Sequence, residues 1–418
     1  MALTLLSFSR KRRPANPFRI EDMYILSNRD LVRALTLKRN ILRPLCVLAL
    51  LAFLLLVIQG GTGPAISAEG NQLVSDHFNG SVFFNPQDIP GEGPQRSALL
   101  VLRFIFGINW STWPEPTGSF QAGTPVLRSS KGKIIVTAIG HGTFLIQMDG
   151  LNILTDPIWS DRCSPVSWAG PKRYRAPGIR FEDLPPIDAV LVSHNHYDHL
   201  DVPTLKRLAE KGAPCAITPL GNRDLILETG IPEVDELDWW QSFRLSKGVT
   251  VTMVPAQHFS SRRPWDRNKT LWAGFVISGP SGNVYYAGDT GYGPHFREIA
   301  KRFPRIDVSL LPIAPFRPKN TDPDWQRHVS RVHMGPAEAV QAHLDLGSRT
   351  SVAAHFQVFR LGPDGFDDAL SALKSAIKER NLAENAFIAP TPGQRVDYAN
   401  LQSDFGPVAL SAAGGSRW

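Results

Sequence analysis

The stretch VSHNHYDHLD at 192–201 places His194, His196, Asp198 and His199 in an H-x-H-x-D-H array directly after an apolar strand pattern. Imidazole and carboxylate are the donors that borderline divalent cations take. Positions two apart in an extended chain face the same way. His194 and His196 can therefore grip one ion, while Asp198 and His199, beyond a turn, reach a second. Two ions need further donors. His258 follows the strand pattern that ends at Ala256, Asp289 ends VYYAGD, and His355 ends SVAAHF. All three stand at strand C-termini, where a sheet presents side chains to a common rim. Singly, each reads more readily as structural. With the cluster they make five histidines and two aspartates, a donor set sufficient for two ions. Such ions lower the pKa of a shared water, which is the chemistry of metal-assisted hydrolysis. No G-x-S-x-G elbow occurs, which argues against a serine hydrolase.

The elements that must hold these donors read as strand-rich halves with interspersed helices. KIIVTAIG, TFLIQMDG and LNILTDPIW follow one another from Lys133, with Asp149-Gly150 as the hairpin signal. AVLVS (189–193) runs into His194, and a helix is expected over 204–211. VTVTMVPA (249–256), LWAGFVISG (271–279) and NVYYAGD (283–289) are strands. Strands and helices then alternate through 308–313, 336–346, 351–356 and 365–380. The pattern predicts two sheets packed face to face and covered by helices. Residues 131–405 form that body, and the Pro-, Gly- and aromatic-rich residues 69–130 form a lead-in packed on it. Within the lead-in, SALLVLRFIF (97–106) reads as a short apolar helix.

The chain has 418 residues and a net charge of +7. Ten of its 45 basic and three of its 38 acidic residues lie in 1–44, so the rest carries 35 of each. A neutral body lacks the electrostatic footprint of a nucleic-acid binder. Residues 45–58 are an unbroken run of 14 apolar residues, followed by small residues at Gly60, Gly61, Ala65, Ser67 and Ala68. Residues 1–68 thus read as a basic n-region plus a signal peptide or membrane anchor, with Met23 as an alternative start. Either form leaves the catalytic body exported or facing outward, on the periplasmic face in a bacterium. Cys163 and Cys215 are expected as ordinary core thiols.

Several longer blocks carry a resemblance. LTDPIWSDRCSPVSWAGPKRYR (154–175), LPPIDAVLVSHNHYDHLD (184–201), ELDWW (236–240), YYAGDTGY (285–292), LLPIAPFRP (310–318) and HMGPAEAVQAH (333–343) resemble the N-acylphosphatidylethanolamine-hydrolysing phospholipase D family. FFNP (83–86) is similar to that family's opening segment. The family lies in the metallo-β-lactamase superfamily, and the resemblance implies its αβ/βα sandwich of two mixed sheets flanked by helices. It implies two zinc ions, with manganese or iron fitting the same donors. His194, His196 and His258 would hold one; Asp198, His199 and His355 would hold the other, with Asp289 bridging. Asp156 matches an acidic position that supports the site from behind, and His333 matches a histidine lining the substrate pocket. Asp289, Asp198 and His333 carry the catalytic roles. The implied reaction is hydrolysis of an N-acylated phosphatidylethanolamine to an N-acylethanolamine and a phosphatidic acid by a metal-bridging hydroxide. A membrane phospholipid substrate and a membrane surface are the expected partners, nucleic acid is not, and a homodimer is left open. A lactone or a soluble phosphodiester is the alternative substrate. The residues 311–334 look longer than the family's loop. His77, His141, His295, His328 and His343 receive no role.

Overall fold

The computed structural model describes residues 75–87, 111–115, 124–263, 265–316 and 329–399. The expected leader at 1–68, the apolar helix at 97–106 and residues 317–328 of the long loop at 311–334 lie outside the described residues. Among the described residues, no helix is long and apolar enough to cross a membrane.

The body is a pair of seven-stranded mixed sheets. The strands and helices in chain order are β1 (Lys133–Gly140), β2 (Thr143–Met148), β3 (Leu151–Thr155), β4 (Ala189–Leu191), α1 (Val202–Gly212), β5 (Cys215–Pro219), α2 (Arg223–Leu227) and β6 (Val234–Leu237). These are followed by β7 (Ser242–Arg244), β8 (Thr250–Val254), β9 (Gly274–Gly279), β10 (Gly282–Tyr286), α3 (His295–Arg302), β11 (Ile306–Pro312), α4 (Pro336–Leu346), β12 (Ser348–Ala354), α5 (Asp368–Glu379), β13 (Phe387–Ile388) and β14 (Arg395–Ala399). The first sheet runs β14-β1-β2-β3-β4-β5-β6 and the second β13-β12-β11-β10-β9-β8-β7. Each is antiparallel through its hairpin-connected strands and parallel at its other end, where helices make the crossovers except between β3 and β4, which a long loop joins. The β2–β3 hairpin turns at Asp149 (φ 50°) and Gly150 (φ 74°), as the Asp-Gly signal predicts.

Alternation along the strands sorts the core into layers. Ile134, Val136, Phe144 and Ile146 of the first sheet meet Val251, Met253, Phe275, Ile277, Val308 and Leu310 of the second in the central layer. The opposite faces pack under helices. Leu145, Leu154, Val190 and Ala216 lie beneath Leu205 and Leu208 of α1 and Ile226 of α2. Val276, Tyr285 and Leu311 lie beneath Phe296 and Ile299 of α3 and residues of α4 and α5. Strands buried on both faces read as continuous apolar runs, which is why 189–193 and 308–313 were legible. β5, β6, β7, β13 and β14 are short or polar and carry no such run. β14 closes the first sheet against β1 from almost 260 residues away in sequence, a pairing that no local pattern announces.

The described parts of the lead-in are held to the body at three stretches, the last being residues 124–130, where Gln147 and Asn152 donate to Val126 O and Leu127 O. Residues 75–87 dock through Phe78 and Phe83, which pack with Ala256, Leu271, Trp272, Leu220 and Trp239. Trp113 of residues 111–115 donates its indole N–H to Asp364 O at 2.9 Å and meets Tyr174 edge-on. Of the chain's three cysteines, the two among the described residues are free, Cys163 buried and Cys215 half-buried.

Candidate metal centre

The donors collect along one rim of the sandwich. The β1–β2 turn supplies His141, the loop after β3 supplies Asp156, and the loop after β4 supplies His194, His196, Asp198 and His199. From the second sheet come His258 after β8, Asp289 after β10, His333 ahead of α4 and His355 after β12. Two glycines let these loops close up. A Cβ at Gly288 (φ 60°) would lie 2.7 Å from the Ser193 side chain, and one at Gly142 would lie 2.6 Å from the Tyr286 hydroxyl. Side chains at either position would push the two sheets' loops apart.

Three imidazole nitrogens converge in one half of the centre. His194 Nε2 is 2.8 Å from His196 Nδ1, which is 3.2 Å from His258 Nε2. The far nitrogens fix the tautomers. His258 Nδ1–H donates to Val332 O at 2.8 Å. His194 Nδ1–H donates to Ser193 Oγ at 2.9 Å, whose own hydrogen goes to Asp156 Oδ2 at 2.6 Å. The Nε2 atoms of His194 and His258 are therefore bare lone pairs aimed at a shared point, an arrangement that calls for a cation between them. Burial pushes His196 and His258 down to about 3 and His194 well below its ordinary range, so all three are neutral ligands.

The other half is built on carboxylates. Asp198 Oδ2 is 3.3 Å from His199 Nε2 and 3.2 Å from His355 Nε2; Asp289 Oδ2 is 3.2 Å from each of the same two nitrogens. Donors at about 2.0–2.2 Å around one ion stand roughly 3 to 3.5 Å apart. These four carboxylate–imidazole distances have that spacing. His199 Nε2 and Asp289 Oδ1 are buried without a hydrogen-bond partner among the described residues, as donors waiting for an ion are. His355 is set by Nδ1–H donation to Ala314 O at 2.8 Å. His199 is set by donation to Asp156 Oδ2 at 2.6 Å. Asp156, fully buried, also takes the Tyr286 hydroxyl at 2.5 Å and the Ser193 N–H at 2.7 Å, so one carboxylate orients ligands in both halves. Burial works against a proton on His199 and His355, yet Asp289 and Asp198 outweigh it. His199 is raised well above its ordinary value and His355 to about 9.

Asp289 Oδ2 stands between the halves, 3.8 Å from His258 Nε2 and 3.8 Å from His333 Nδ1 as well as close to His199 and His355. The residues therefore fit two ions with Asp289 shared. All seven sequence-predicted ligands are brought together, with Asp156 behind them and His333 beside Asp289.

A relationship to known proteins agrees with the geometry. Residues 151–356 match the beta-lactamase superfamily domain. An N-acyl-phosphatidylethanolamine-hydrolyzing phospholipase D of Caenorhabditis elegans is 30% identical over 337 residues, spanning 76% of this chain and 92% of its own. The chain belongs to the N-acylphosphatidylethanolamine-hydrolysing phospholipase D family of the metallo-β-lactamase superfamily. As a member of that family it is a metal-dependent hydrolase. An uncharacterized protein of Mycobacterium tuberculosis is 38% identical over 288 residues, covering 68% of this chain and 74% of its own. The mitochondrial member of the family from Saccharomyces cerevisiae is 33% identical over 244 residues, covering 57% of this chain and 50% of its own. Among solved structures, a metallo hydrolase of Ignicoccus hospitalis aligns over 64% of this chain and 98% of its own, at 20% identity and a TM-score of 0.48.

Sequence reasoning about this hydrolase missed His141. It lies in a Gly-His-Gly turn at φ 59°, and its Nε2 is 2.8 Å from Asp198 Oδ2. Burial and the neighbouring His355 push it down to about 3, so it is a neutral donor to that carboxylate. Its Nε2 is also within ligand reach of the group formed by Asp198, His199 and His355. The only signal in the sequence is a polar ring in the tight turn of an otherwise apolar hairpin. His295 and His343 are structural. His295 meets Thr290 Oγ1 at 3.2 Å and His343 meets Ser351 Oγ at 2.8 Å.

The family's other blocks acquire physical roles. Arg173 of GPKR donates to Ile158 O and Ser160 O and lies over the Phe359 ring, tying two rim loops together. Thr290 of AGDTGY accepts the Gln257 N–H at 2.9 Å, which locks the His258 loop to the Asp289 loop.

Proposed function

We propose that this hydrolase is a zinc-dependent phosphodiesterase of phospholipase D type that cleaves N-acylphosphatidylethanolamine-like lipids to N-acylethanolamine and phosphatidic acid. The observation that carries the reading is the relationship to the Caenorhabditis elegans enzyme of that name along 92% of its length, with a full ligand set in this chain. When bound, the two ions supply Lewis-acid chemistry, activating water and neutralising charge on phosphoryl oxygens. Asp289 and Asp198 accept hydrogen bonds from the attacking water and fix its approach to phosphorus. A P–O bond forms to that water and the P–O bond to the ethanolamine oxygen breaks; the water's proton passes to the departing oxygen. His333 is the proposed carrier of that proton. Its Nδ1 faces Asp289 without a hydrogen-bond partner among the described residues, and burial holds the ring well below its ordinary range, so it is neutral and able to pass a proton. Neither Cys163 nor Cys215 competes as a nucleophile, since burial raises Cys163 and pushes Cys215 up to about 11.

The basic and apolar N-terminal segment supports a membrane phospholipid as substrate and a body that is exported or anchored outside the cytoplasm. The test is the full chain, assayed for metal and incubated with N-acylphosphatidylethanolamine in mixed micelles beside Asp289→Asn. Release of N-acylethanolamine and phosphatidic acid with about two metals per chain, falling at least about a hundredfold in the variant, is expected. Two bound metals without lipid cleavage would overturn the substrate and turn the search to lactones and soluble diesters.

A further inference from the structure

One ligand is held from outside the hydrolase body. The Asn85 side chain, in the FFNP of the lead-in, is 5% exposed. Its Oδ1 accepts the main-chain N–H of His258 at 3.1 Å, and its Nδ2 donates to the main-chain O of His258 at 3.0 Å. The same Oδ1 takes the Trp272 indole N–H at 3.1 Å. A single amide thus clamps both backbone groups of one metal ligand from 173 residues away. The clamp is backed by a latch. His77 meets Asp76 Oδ1 at 2.6 Å and Asp238 Oδ1 at 2.7 Å, and its ring stacks on Trp239 with centroids 4.2 Å apart. Phe83 N–H donates to Asn268 O at 2.9 Å, on the loop that returns from His258 to β9. The ELDWW block therefore receives the lead-in, and the lead-in seats His258.

Among the described residues no other ligand is held this way. His194, His199 and His355 are oriented through their ring nitrogens by Ser193, Asp156 and Ala314, all within the body. Three residues of irregular chain separate His258 from β8, and its ring is held by Val332 O of another loop. Gln257 beside it is tied to the Asp289 loop, but among the described residues both main-chain groups of His258 itself bond to Asn85, and a buried peptide group that loses both partners seeks others.

We propose that Asn85 is a positioning residue for the tri-histidine metal site, so that residues 75–87 are a working part of that site rather than a wrapping of the domain. The inference rests on the two-ion reading but not on the substrate, because its test reads metal and not lipid turnover. Zn2+ is titrated into the metal-free full chain against a chromophoric chelator for the wild type, Asn85→Leu, Asn85→Asp, His196→Ala, and Asn85→Leu combined with His196→Ala. Thermal unfolding of each metal-free protein is followed alongside. Leucine matches the shape and keeps none of the hydrogen bonds; aspartate keeps the acceptor for His258 N–H and Trp272.

Asn85→Leu should weaken one of the two sites by about ten- to a hundredfold and leave the other unchanged. It should add no further loss in the His196→Ala background, where that site is already gone. Asn85→Asp should fall between leucine and wild type, and it decides the matter should the leucine variant not fold. Wild-type affinity at both sites in a folded variant would overturn the proposal. So would equal weakening of both sites, additive loss in the double variant, or a wild-type chain that takes up only the ion of Asp198, His199 and His355.

Discussion

The two halves of the metal centre solve the same problem by opposite means. His194, His196 and His258 offer neutral nitrogens that burial keeps unprotonated, with His196 and His258 at about 3. Asp198, Asp289, His199 and His355 form an anionic pocket that raises its own imidazoles, His355 to about 9. Without metal, the first half is a set of empty lone pairs and the second is filled by protons. The difference shows that a ligand list does not describe a site. The same residue type, histidine, sits at opposite ends of its titration range within a few ångströms, depending on whether a carboxylate faces it.

Removing one ligand from each half is the strongest way to break the comparison. His196→Ala and Asp198→Ala should each leave one metal per chain by elemental assay and lower hydrolysis at least about a hundredfold. Retention of two tightly held ions by either variant would show that the halves are not separate sites. Acid sharpens the contrast. His199 and His355 titrate above their ordinary value, so an ion entering the carboxylate half must displace protons, and its affinity falls as pH drops below about 9. The other half has no such dependence in that window. Its rings stay neutral until pH approaches 3, so loading there should be nearly flat from pH 8 to 5.5. Calorimetry in buffers of different ionisation enthalpy measures the protons released; equal release by both ions would contradict the assignment. The smallest effect is expected at His141. His141→Leu removes the donor to Asp198 and should cost the carboxylate half about tenfold in Zn2+ affinity, with His141→Gln recovering part of it.

The ligands themselves were legible in sequence because four of them crowd into six positions and the rest end apolar strands. Local pattern also located the central strands and α4, whose observed bounds match the expected 336–346. What escaped was whatever acts over distance through generic groups. His141 is one imidazole in a turn. Asn85 works through its amide on another residue's backbone, and β14 pairs with β1 only because the whole sandwich has formed. FFNP and ELDWW stood out as family blocks, but their reason, a latch between His77 and Asp238 beside Trp239, depends on contacts 161 residues apart.

Neither sheet owns a complete ligand set. The loops of the first provide His194 and His196 to one ion and Asp198 and His199 to the other; the loops of the second complete them with His258 and with Asp289 and His355. Each ion would therefore act as a rivet across the seam of the sandwich. Chelation then loosens the joint between two half-molecules as well as silencing the chemistry, and metal supply becomes a determinant of how long the folded chain survives.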